Sequence, residues 1–91
     1  MDRAEILDTA KAHVTQDRAA LHGEMEDSFT TIATLWSGYL GAPIRPHEVA
    51  VMMTLLKIAR TRNNPAHMDS WIDAAGYMAC GGSMFGSEVQ G

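Results

Sequence analysis

Two aspartates, Asp69 and Asp73, stand four residues apart in DSWIDAAGY, and two cations, Lys57 and Arg60, stand three apart in LLKIAR just upstream. Either spacing places both side chains on one face of a helix. Two carboxylates within one helical turn can meet at a hard divalent cation such as Mg²⁺ or Mn²⁺, which takes oxygen ligands. A lysine beside an arginine can hold phosphate oxygens, the arginine as a fork and the lysine as a point charge. The competing account is purely structural. In it Asp69 caps a helix, Asp73 pairs with Lys57 or Arg60 across an interface, and the basic pair is a solvated helix end whose charge suits the dipole.

Two aspartates are too few to enclose a metal, so a cation site would also draw on Glu48 or on the acidic cluster Glu24, Glu26 and Asp27. That cluster reads equally well as an acidic first turn complementing a helix dipole. Arg18 and His22 just precede it, beside Gly23, a residue that lets backbone approach a ligand closely. Both are candidates for phosphate contact. The four histidines, His13, His22, His47 and His67, show no zinc-ligand spacing. The chain has no Gly-rich phosphate loop and no nucleophile elbow. Its single cysteine, Cys80, excludes an intramolecular disulfide and reads as a small packed residue.

The elements that must position these residues are all helical by pattern. Ile6, Leu7, Ala10 and Val14 recur at helical spacing and predict a first helix over residues 4–15, with Asp2 as cap. The segment DRAALHGEMED interrupts the pattern. A second helix is expected over 28–40, capped by Asp27 or Ser28 and closed by Gly41. Pro46, at home in a first helical turn, opens a third over 46–62, apolar around most of its circumference and therefore expected at the centre of the fold. A fourth begins at His67 or Met68 and is expected to end at Cys80, before Gly81 and Gly82. The remainder, residues 83–91, is expected as a tail, frayed or docked on a partner. Trp36, Trp71, Tyr39 and Tyr77 read as core or interface rather than as base-stacking platforms.

With 91 residues the chain makes one domain, residues 1–82, with a single core. The expected class is all-α, a small bundle of three main helices and a shorter N-terminal one. So wide an apolar girdle on so small a core implies self-association. A formal charge of −4 argues against duplex nucleic acid, which demands a basic face. No stretch approaches the ~20 apolar residues that span a bilayer. The opening MDRAEILDTAK lacks a basic segment followed by an apolar block, so the cytoplasm is the expected compartment.

The order RAALHGEMEDSF, IATLWSGYLG, EVAVMMTLLKIAR and NPAHMDSWIDAAGYMACGG covers nearly the whole chain and resembles a family of small uncharacterised proteins encoded by bacteriophages and prophages. The layout is also similar to the phage nucleotide-modification-associated domains, which in turn look like relatives of the MazG-type all-α nucleoside triphosphate pyrophosphohydrolases. The resemblance implies an oligomeric helical protein that binds a nucleotide, with Mg²⁺ on carboxylates of adjacent helices, and that cleaves an NTP or dNTP to the monophosphate and pyrophosphate. Carried onto this sequence, Asp69 and Asp73 match the aspartate helix as metal-binding and catalytic residues, Lys57 and Arg60 match the basic pair, and Glu48 is a further candidate ligand. The sequence departs from the MazG pattern where a Glu-Glu-x-x-Glu block belongs, because EVAVMMTLLKIAR carries one carboxylate. The other reading is a non-enzymatic phage protein that binds or inhibits a host or defence protein through its Met-rich surface and acidic patches.

Overall fold

The structure, a computed structural model, describes residues 1–17 and 25–90. Among the described residues it is entirely helical: α1 (Arg3–Ala12), a π-helical turn (His13–Asp17), α2 (Met25–Leu40), α3 (Pro46–Asn63) and α4 (Met68–Gln90). The all-α expectation holds, as do three of the local signals behind it. Asp2 accepts the Glu5 N–H at 2.8 Å and Glu5 reaches back to the Asp2 N–H, closing a capping box. Gly41, with φ +67°, ends α2 in the left-handed conformation that glycine adopts without steric cost. Pro46 starts α3, and Glu48 Oε1 accepts the Arg45 N–H at 2.9 Å.

The link from α2 to α3 is held by one hydroxyl. Ser37 Oγ donates to the Ala33 carbonyl at 2.7 Å and accepts the Ile44 N–H at 2.8 Å. That contact satisfies a backbone donor that the turn leaves without a helical partner, and it fixes the direction in which α3 departs.

Asp27 and Ser28 do not cap the second helix, because α2 already runs through them from Met25, and two larger expectations are corrected. The fourth helix does not stop at Cys80; it continues through Gly81 and Gly82 to Gln90. Gly81 is there for space rather than for a cap, since a Cβ on it would stand 3.0 Å from Ala50 Cβ and 3.6 Å from the His47 carbonyl. Glycine lets α4 approach α3 at that point, as Gly76 does against Val14 Cγ1 at 3.0 Å. Residues beyond Gly82 dock on this chain itself: Met84 is buried in the core and the Phe85 ring stands edge-on to His47, centroids 5.0 Å apart. The second correction concerns the centre. It is α4, not α3, that packs against every other helix.

The core is small. Phe29 and Ala33 of α2, Val49 and Ala50 of α3, and Tyr77 and Met84 of α4 form it, with Ile32, Trp36, Ile44, Met53 and Cys80 around them. Phe29 and Tyr77 meet as a tilted aromatic pair with centroids 5.9 Å apart. Trp36 and Tyr77 therefore lie at the core as expected, whereas Tyr39 is 90% exposed and Trp71 lies at the surface, its indole N–H donating to the Pro65 carbonyl at 3.0 Å. No helix is long and apolar enough to cross a membrane among the described residues.

Candidate functional site

The α3–α4 hairpin determines where the predicted residues go. Gly81 faces Ala50 at one end, and two turns further along each helix Lys57 meets Asp73, Nζ to Oδ2 at 3.0 Å. Both side chains are mostly enclosed, at 15% and 14% exposure, so the pair is shielded far better than a surface ion pair. One more turn toward the Asn64–His67 connection brings Asp69 level with Arg60 and Thr61, and there the surroundings open. Asp69 is exposed, with His67 Nε2 at 3.8 Å, and Arg60 is exposed as well. Asp69 is not the helix cap, because it lies inside the first turn of α4.

The hairpin thus brings Lys57, Arg60, Asp69 and Asp73 to one end of the molecule. It does not bring Glu48 there. Glu48 stands in the first turn of α3, about 18 Å from Arg60 along the axis at ~1.5 Å per residue, with its carboxylate engaged at the helix start. Among the described residues no three His, Cys, Asp or Glu side chains converge, so the side chains alone do not enclose a metal. Arg18, His22 and Glu24 lie outside the described residues, as does Gly23, and the side chain of Glu26 is likewise undescribed.

Asp73 also borders a cavity lined by His13, Val14, Ile72, Gly76 and Tyr77. The cavity has room for a single water molecule at most. It cannot take a nucleotide. A ligand at this end would rest on the open surface beside Arg60 and Asp69.

A second polar contact escaped sequence reasoning. His47 Nδ1 lies 2.6 Å from Glu88 Oε2, the other carboxylate oxygen of Glu88 is buried without a hydrogen-bond partner among the described residues, and Phe85 packs on the imidazole. A signal for it exists in hindsight. Ser70, Tyr77 and Met84 repeat at seven residues, and so do Ala74, Gly81 and Glu88, so the helical register runs through the glycine pair without a break.

Comparison with known proteins adds the family. Residues 5–85 match the family described as Domain of unknown function (DUF6378). The chain belongs to this family. Within the curated proteins it is similar to the Gene 55 protein of Mycobacterium phage L5, 45% identical over 73 residues, which is 79% of this chain and 47% of that protein. It is also similar to the Gene 55 protein of Mycobacterium phage D29, 37% identical over 86 residues, 94% of this chain and 57% of that protein. The chain thus spans about half the length of these relatives. No solved structure matches. The phage part of the sequence resemblance is thereby established, and the DUF6378 match takes in α2, α3, both members of the Lys57–Asp73 pair, and α4 as far as Phe85.

Proposed function

We propose that this DUF6378 chain is a phage nucleotide-binding protein of MazG-like type, which takes the polyphosphate of an NTP or dNTP at the open end of the α3–α4 hairpin. The observation that carries the reading is the Lys57–Asp73 pair at 3.0 Å with Arg60 and Asp69 one turn beyond it. In this reading Arg60 forks onto phosphate oxygens, Lys57 supplies positive charge from its enclosed position, and Asp73 holds Lys57 in place. Arg18 and His22, the other two phosphate candidates, lie outside the described residues.

Mg²⁺ fits the donor chemistry, because it is commonly held by one or two carboxylates together with substrate phosphates. Asp69 and Asp73, one turn apart, are the two that would hold it; Glu48 is too distant, and Glu24 lies outside the described residues. When bound, the ion would neutralise phosphate charge and activate water for hydrolysis to the monophosphate and pyrophosphate. The protein's own part is to orient the phosphates and to place cationic charge where negative charge develops.

The test is calorimetry together with pyrophosphate release on a panel of NTPs and dNTPs, with and without Mg²⁺. Metal-dependent release that Asp73→Asn abolishes, with the fold intact by circular dichroism, is the expected result. Binding without turnover that depends on Lys57 and Arg60 but not on Asp73 would reduce the reading to a nucleotide sensor. Neither binding nor turnover across the panel would overturn it and leave the non-enzymatic reading, a phage protein that binds or inhibits a host or defence protein, which draws its support from the exposed apolar residues of α3.

A further inference from the structure

Helix α3 meets α4 through Ala50 and Lys57, with Val49 and Thr54 also buried on that side, and leaves the opposite face bare. There Val51, Met52, Leu55, Leu56 and Ile58 are between 40% and 58% exposed. Apolar side chains scattered singly over a surface are ordinary. Five of them within two turns of one helix form a contiguous patch, and patches of that kind mark interaction surfaces.

The ends of the patch say what covers it. Glu48 lies seven residues before Leu55 and Arg62 seven residues after, so the three fall on one stripe, two turns apart at each step. Both charged residues are exposed. A second copy laid antiparallel, with a two-fold axis at Leu55, sets Glu48 against Arg62 of the partner subunit at one end and repeats the contact at the other. Between them Val51 and Met52 of one copy meet the Ile58 and Ala59 region of the other. A parallel arrangement would instead oppose Glu48 to its own equivalent and Arg62 to its own, and would repel at both ends. We propose that this face of α3 is a homodimer interface in which two α3 helices pack antiparallel about Leu55. An isologous two-fold contact needs a surface complementary to itself, and the inverted charge at equal distance from Leu55 provides it. Glu48 can serve both roles, because only Oε1 is engaged with the Arg45 N–H.

The stripe from Glu48 to Arg62 is about 21 Å long at ~1.5 Å per residue. Two helices in contact along that length, with little beside them, give an interface at the small end of the stable range. The inference is independent of nucleotide binding.

The experiment is sedimentation velocity on the chain across the micromolar range, with Glu48→Arg, Arg62→Glu and Leu55→Asp variants, each checked for helical content. The wild-type chain should dimerise. Each charge variant alone opposes like charges at both ends and should dissociate at least tenfold more readily. An equimolar mixture of Glu48→Arg with Arg62→Glu restores opposite charges at both ends and should recover the dimer as a heterodimer, while Leu55→Asp should stay monomeric in every mixture. A wild-type chain that remains monomeric throughout would overturn the proposal and assign the face to a different protein or to another segment of a longer chain. So would a dimer that survives Leu55→Asp, or charge variants that fail to rescue each other.

Discussion

Replacing Gly82 with alanine distinguishes a helix that continues through the glycine pair from one that ends there, because the two arrangements give opposite signs. Gly82 lies inside α4 with helical φ and nothing within 4 Å of the position a Cβ would occupy. A glycine in an exposed helix interior is about 1 kcal/mol less favourable than alanine, so Gly82→Ala should stabilise by roughly that amount. For a chain of this size the gain is about 4–8 °C in Tm. Gly81→Ala receives the same backbone benefit but must fit a methyl 3.0 Å from Ala50 Cβ, with the His47 carbonyl at 3.6 Å. Neither neighbour is the free end of a flexible side chain, so the helices must separate, at a cost of about 1–3 kcal/mol. The net effect of Gly81→Ala is therefore zero to about 2 kcal/mol of destabilisation, from the same two figures. Thermal and urea melts followed by far-UV circular dichroism, at one fixed protein concentration, measure both. If Gly82→Ala lowers Tm, that residue occupies a left-handed helix terminus, where alanine costs roughly 1–2 kcal/mol, and the continuous α4 is refuted. If both variants stabilise equally, the close approach of α3 to α4 at Gly81 is refuted.

The Lys57–Asp73 pair should show thermodynamic coupling. Lys57→Met or Asp73→Asn alone should destabilise by about 1–3 kcal/mol, between the figures for exposed and fully buried pairs, because each removes one side of a mostly enclosed ion pair. The double variant should lose less than the sum, and additivity within about 0.5 kcal/mol in a double-mutant cycle would show that the two do not interact. Ser37→Ala should destabilise by about 1–2 kcal/mol by removing the acceptor of the Ile44 N–H, measurable by urea denaturation, while Ser37→Thr, which keeps a hydroxyl, should recover part of the loss. Hydrogen exchange at the Ile44 amide should speed up in the alanine variant and in no distant helix.

Much of the local structure could be read from residue types alone, for definite reasons. Capping by Asp2, termination at Gly41 and initiation at Pro46 depend on groups within four residues of one another, and the sequence displays those groups directly. The candidate site was legible in part. Lys57 and Asp73 were expected to be neighbours, but whether Lys57 would pair with Asp73 or leave that to Arg60 depended on the rotation of α3 about its axis. Glu48 is a possible further ligand by residue type, which suits Mg²⁺; the length of α3 separates it from the others. The continuation of α4 was misjudged because a Gly-Gly pair has two uses. It favours a helix end by conformational freedom, and it permits close packing by lacking a side chain. Composition cannot tell these apart; the presence of Ala50 opposite Gly81 does.

By itself the sequence determined the helical class, the number of helices and most of their boundaries, because periodicity, caps and prolines act over one or two turns of chain. Tertiary structure alone decided which helix is central, which of two basic residues meets Asp73, and that residues beyond Gly82 return to His47 and the core. Those outcomes depend on the depth to which helices approach and on their relative rotation, quantities set by the fit of side chains from distant parts of the chain. The same packing leaves one apolar face of α3 in solvent, a fact that the pattern of residues along α3, apolar on nearly every side, could not disclose.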